Sequence, residues 1–215
     1  MDWDKTVERL NAYLNQADYV QLRGALRMIN EVDIALYLSA LEPDQMLRVF
    51  RILPESISAD VFSYMDSELQ RQLIEAISSD EIRTLIDNMF LDDAVDLLED
   101  LPVDVVRRVL SSTTPSTRAL INRFLTYPAN SAGSIMTIEF TELRASLTVR
   151  EALEWIKRNG SDSETIYVCY VIDDGHRLLG AVEITQLLAA DDDTPVTRLM
   201  DASPISVLTS TDREE

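Results

Sequence analysis

Leu91-Asp92-Asp93-Ala94-Val95-Asp96-Leu97-Leu98-Glu99-Asp100-Leu101-Pro102 spaces apolar and acidic residues as a short amphipathic helix does, then ends it with a Leu-Pro step. Leu97, Leu98 and Leu101 fall on one side of that helix, and Asp92, Asp93, Asp96, Glu99 and Asp100 on the other. The proline marks the next helix start, because its missing N–H costs nothing in a first turn. The same step occurs earlier as Leu53-Pro54. Moving outward from Leu97 in steps of 24 residues meets Ala25, Val49, Leu73 and Ile121. The same steps from Leu101 meet Ile29, Leu53, Ile77 and Leu125, and a third register holds Leu38, Phe62, Ile86 and Leu110. The first two registers lie four apart and share a helix face, whereas the third lies on the following helix. The repeat unit is therefore a pair of helices of about ten residues each, joined by tight turns, and the repeated apolar residues are core positions. An α-solenoid of such hairpins is predicted for residues 1–127.

The period changes after Tyr127-Pro128. Ile135–Arg144 carries the β-formers Ile138, Phe140 and Leu143, and Thr148–Arg158 is an amphipathic helix using Val149, Ala152, Leu153 and Ile156. Thr165–Ile172 reads as a strand, Asp173-Asp174-Gly175 as a turn, and Leu178–Ile184 as its hairpin partner. A helix at Thr185–Ala190, an acidic loop and a short strand at Ile205–Leu208 complete a β-α-β-β-α module over residues 128–215. The expected fold is thus all-α followed by a small α/β unit.

Composition narrows the chemistry. The 215 residues hold 38 Asp and Glu against 19 Lys and Arg, a net charge of −19. Such a surface repels nucleic acid and anionic lipid and attracts cations. No apolar run is long enough to span a bilayer, and Met1–Leu10 lacks the basic-then-apolar pattern of a secretory leader. Cys169 is the lone cysteine, which excludes an internal disulfide and fits a reducing cytosol. His176 is the lone histidine and follows the Asp-Asp-Gly turn, so neither a zinc shell nor a Ser-His-Asp triad is available to it. The five glycines form no phosphate-cradling loop, and no enzymatic activity is expected.

Tyr127-Pro128 followed by Ser131-Ala132-Gly133 and Met136-Thr137 resembles the junction in MgtE magnesium channels between a helical N domain and a pair of CBS modules. Asp92-Asp93-Ala94-Val95-Asp96-Leu97-Leu98 resembles that N domain, and Glu164-Thr165-Ile166-Tyr167 the second strand of a first CBS module. The resemblance implies a Mg²⁺-sensing region on the cytoplasmic side of the bacterial inner membrane, attached to a membrane-spanning pore. There, interdomain carboxylates take Mg²⁺ when it is abundant and the pore closes; a homodimer through the CBS modules is also implied. Thr211–Glu215 looks like the entry to the helix of a second CBS module, so the chain reads as a fragment ending before that module. A freestanding regulatory protein that binds a nucleotide or a partner, with no pore, is the alternative.

The resemblance assigns Mg²⁺ contact to Asp92 and Asp96, to Asp60, and on the CBS side to Asp191 and Asp193. Read alone, Asp92 and Asp96 lie at i and i+4 on the outward face of their helix, and the plain alternative is a solvated acidic surface. Asp191-Asp192-Asp193 is no EF-hand, because Thr194 and Pro195 follow and Ala202 stands where a bidentate Glu belongs. In CBS modules that bind adenine nucleotides, a Ser or Thr is often followed by Asp near the third strand's end; here Gln186 follows Thr185.

Overall fold

A computed structural model describes residues 3–214 and divides the chain into two compact units. One runs to Met89 and resumes over Asp93–Phe124; the other comprises Phe90–Asp92 with Leu125 onward. Met1 and Asp2, where the leader pattern was sought, and Glu215, the end of the expected helix entry, lie outside the described residues.

The helical unit follows the 24-residue period closely. Its helices are α1 (Trp3–Asn15), α2 (Tyr19–Leu26), α3 (Glu31–Ser39), α4 (Pro43–Ile52), α5 (Glu55–Ser63), α6 (Ser67–Ala76), α7 (Ser79–Asp87), α8 (Leu91–Asp100), α9 (Val103–Ser112) and α10 (Pro115–Phe124). Val49, Leu73, Leu97 and Ile121 are buried, as are Ile29, Leu53, Ile77 and Leu101, and Leu38, Phe62 and Ile86 on the alternate helices. The registers fail toward their ends. Ala25 and Leu110 are half-buried and Leu125 is exposed.

Helix caps obey the same period. Asp18, Asp66 and Thr114 stand 48 residues apart, two repeats at a time, and accept from the N–H groups of Gln21, Leu69 and Thr117. Asn30 accepts from the Val32 N–H, and Ser78 forms a reciprocal capping box with Glu81, each satisfying donors the helix itself leaves open. Pro54 and Pro102 hold the corresponding places in that second series and make no side-chain cap. Carbonyl ends are closed by arginines. Arg108 on α9 donates to the carbonyls of Ile74, Glu75 and Ile77 at the end of α6, and Arg83 on α7 donates to Ser112 O at the end of α9.

In the second unit, β1 (Phe140–Arg144) pairs in parallel with β2 (Thr165–Ile172), which pairs antiparallel with β3 (Leu178–Glu183), in sheet order β1-β2-β3. Between β1 and β2 lies α11 (Val149–Asn159), capped by a Thr148–Glu151 box; α12 (Ile184–Ala189) follows β3. This is the β-α-β-β-α order expected from sequence. Leu143, Val149, Ala152, Ile156, Cys169, Val171, Val182, Leu187 and Val196 form its core. Burial pushes the Cys169 thiol up to about 11, so it stays protonated and packs as a small apolar group. The Asp173 carboxylate accepts from the N–H groups of Gly175 and Arg177 and closes the hairpin, with His176 at positive φ.

Two expected strands change. The first starts at Phe140 rather than Ile135, because Thr137 Oγ1 accepts from the Glu139 N–H and turns the chain just before it. Ile205–Leu208 is not a strand; Ile205 is fully exposed, and the run has no ladder partner among the described residues. Thr211–Glu214 is likewise turn rather than helix. Its neighbourhood explains the Ser131-Ala132-Gly133 motif: Ala132 and Gly133 donate to the carbonyls of Thr211 and Thr209, and a Cβ on Gly133 would lie 2.6 Å from the Tyr127 ring.

Candidate functional site

Helix α8 buries Leu91, Ala94, Val95, Leu97 and Leu98 and exposes Asp96, Glu99 and Asp100. Acidic residues early in the helix oppose its positive N-terminal end favourably. The expectation that Asp92 and Asp96 both face outward holds for Asp96 and is corrected for Asp92. Asp92 is half-buried, and its Oδ1 is shut from solvent without a hydrogen-bond partner. A helical projection misses this because it registers only the helix's own residues, whereas burial depends on whatever the fold brings alongside.

The start of α8 holds a second feature absent from the sequence reading. Phe90 occupies the place that Asp66 and Thr114 fill as caps one repeat away on either side, and Asp18 three repeats before. Within the second unit, Glu139 Oε1 instead accepts from the Leu91 N–H at 3.2 Å, while its Oε2 accepts from Thr137 Oγ1. The break in the cap register at Phe90 was the signal available in the sequence.

Asp60, on α5, is half-buried. Burial first, and then the charge of Glu31 on α3, push its carboxyl above the usual carboxylate range. Glu31 gave no sign of this role in sequence, since an acidic residue opening a helix is ordinary. Asp191, Asp192 and Asp193 are all exposed in the loop after α12. The Arg150 guanidinium lies 2.9 Å from Asp192 and 3.9 Å from Asp193, and the Arg150 N–H donates to Asp192 O. Asp193 therefore already has a cation beside it. Among the described residues no three or more His, Cys, Asp or Glu side chains converge as a metal-holding group. The structure thus places Asp92 and Asp96 one turn apart on one helix, Asp191 and Asp193 in one loop, and Asp60 within electrostatic reach of Glu31.

A family model described as the MgtE intracellular N domain matches residues 29–130. A solved structure described as the cytosolic domain of the Mg²⁺ channel MgtE in complex with ATP is 30% identical, superposes with a TM-score of 0.84, and is matched over 97% of this chain and 85% of that one. The chain belongs to the MgtE family. A second solved structure, the soluble part of a magnesium transporter, is 25% identical with a TM-score of 0.93, covering 99% of this chain and 84% of that one. The magnesium transporter MgtE of Thermus thermophilus is 30% identical over 99% of this chain and 48% of its own length. The chain thus spans about half the length of the curated MgtE relatives it matches and corresponds to the family's cytosolic domain. No helix among the described residues is long and apolar enough to cross a membrane.

Proposed function

We propose that the chain is the Mg²⁺-sensing regulatory region of an MgtE-type magnesium channel, taking Mg²⁺ on Asp60, Asp92, Asp96, Asp191 and Asp193 and so favouring the closed state of an attached pore. The observation that carries this reading is the Asp92 Oδ1, buried without a partner one turn from Asp96. A buried carboxylate oxygen without a donor is costly, and a cation removes that cost. Asp60 supports the reading in the same way, because a cation there offsets both its burial and the Glu31 charge. Mg²⁺ keeps several waters and needs only one or two carboxylates from the protein, so the lack of a three-carboxylate cluster among the described residues suits it. Without the ion, like charges repel; with it, a conformation that brings carboxylates to shared ions is stabilised. The attached pore and a homodimer through the CBS-type modules belong to the same proposal.

The test is a melting curve with and without millimolar Mg²⁺ at matched ionic strength. The ion should raise Tm, since a ligand of the folded form alone adds RT ln(1+[L]/Kd). Asp92→Asn with Asp96→Asn should remove most of that rise. Asp60→Asn should raise Tm without Mg²⁺ and shrink the ion's increment. The sign follows from the raised carboxyl: its cost is absent below the usual 3.8 and fully present at neutral pH. A rise reproduced by NaCl would reduce the effect to screening.

Nucleotide binding is a second reading, favoured by the ATP in one similar cytosolic domain. Gln186 Oε1 accepts from the Glu183 N–H and Thr185 Oγ1 donates to Glu183, so both side chains are engaged at the start of α12. Calorimetric titration with ATP decides it; no heat at millimolar ATP ends this reading.

A further inference from the structure

Helix α2 turns a basic, concave face to solvent on an otherwise acidic chain. Tyr19, Val20, Arg23, Gly24 and Arg27 recur at helical spacing along it and, with Arg51 and Ile52 of α4, line a groove of about 520 Å³. Val20, in the groove wall, is 82% exposed. Among the described residues Arg23 and Arg27 form no ion pair, whereas Arg51 makes a two-pronged contact with Glu81, at 2.7 and 3.2 Å.

Gly24 is the second observation. It sits inside a regular helix with ordinary φ, where glycine is the poorest choice after proline. Nothing in the fold requires it, since a Cβ there would meet no atom within 4 Å. The bare backbone therefore serves the outer side, where it deepens the groove between Val20 and the arginines. A glycine at that place permits another chain to approach the helix closely.

We propose that this α2–α4 groove is a docking site for an acidic amphipathic helix of a partner protein. An apolar side chain of the partner seats over Gly24 against Val20 and Ile52, and carboxylates on either side pair with Arg23 and Arg27. The cations are all arginines, whose planar fork fits carboxylates, and Arg51 with Glu81 shows that geometry on the groove's rim. A net charge of −19 disfavours nucleic acid and anionic membrane as occupants, and a concave groove does not match a flat bilayer. The inference does not depend on Mg²⁺ sensing, and the carboxylates assigned to that role lie outside the groove.

The test uses the full 215-residue chain, ¹⁵N-labelled, titrated with stapled helical peptides of about 16 residues carrying Leu at i and i+4. One peptide flanks the leucines with Glu, one with Gln and one with Lys. The Glu peptide should shift the amides of residues 19–27 and 51–52 and bind at least about tenfold more tightly than the Gln peptide. Arg23→Glu with Arg27→Glu should abolish those shifts. Gly24→Leu should block the groove while leaving the melting temperature equal or higher, which shows that the variant folds. The proposal is overturned by no shifts at α2 up to about 1 mM peptide, by equal binding of the Gln peptide, by indifference to these variants, or by anionic vesicles shifting the same amides more strongly than the Glu peptide.

Discussion

The helical unit and the α/β unit solve the same problem in opposite ways. In the helical unit every element buries its stripe against neighbours close in sequence, and caps, turns and core positions recur every 24 residues. In the α/β unit the parallel pair β1–β2 closes across the whole of α11, and one nine-residue core serves every element. Damage in the first should stay local and graded, as in repeat proteins; damage in the second should be shared by all its parts. The comparison also separates two kinds of glycine. Gly24 faces open space on a helix, whereas Gly180 faces backbone, where a Cβ would lie 2.4 Å from Asp201 O.

The strongest way to break this contrast is Phe62→Ala. Phe62 is fully buried and meets Phe50 edge-on at 6.3 Å, so the loss should be about 3–5 kcal/mol. Calorimetry should show the helical transition moving while that of the α/β unit stays; equal movement of both would mean that they unfold as one body. Gly180→Ala probes the other side. Ala181 and Asp201 exchange both backbone hydrogen bonds beside it, so the added methyl must push them apart at a cost of about 1–3 kcal/mol. Amide exchange should then speed up across β2, β3 and α12 together, and faster exchange confined to the 180–201 contact would contradict a shared core.

Smaller effects sharpen the local character of the helical unit. Ser78→Ala removes one half of a capping box and should cost about 1 kcal/mol, detected as faster exchange at the start of α7 alone. The Arg51–Glu81 pair gives the smallest effect. The guanidinium, helped by the Ser78 cap, holds the Glu81 carboxyl down from the usual 4.5 to about 2. A depressed carboxyl stabilises the fold above its unfolded value and loses that contribution as pH falls toward 2. The side chain is 37% exposed, so solvent screens much of it. The melting difference between the chain and Glu81→Gln should shrink steadily from pH 5 to pH 2, and a difference independent of pH would remove the ion pair from the account.

Much of this was legible in the chain itself. The 24-residue registers located the helix pairs because each core residue has a counterpart one repeat away, and Leu53-Pro54 and Leu101-Pro102 marked equivalent helix starts. Thr165–Ile172 and the Asp173 turn were legible because β-branched runs and Asp-Gly turns act through adjacent residues. Ile135 and Ile205–Leu208 were misread for one reason: β-propensity describes fitness to pair, and pairing needs a partner that a local pattern cannot supply. Among the candidate carboxylates, type and spacing were visible, while their differing environments were not.

By itself the sequence determined the helical repeat, the β-α-β-β-α order and the acidic surface, since these depend on periodicity and composition. Only the tertiary structure decided that Asp92 keeps one oxygen buried, that Asp60 answers to Glu31, that Arg150 attends Asp192 and Asp193, and that Glu139 serves the helix start where Phe90 cannot. Those are properties of charge and solvent access, set by residues distant in sequence that folding brings within a few ångströms.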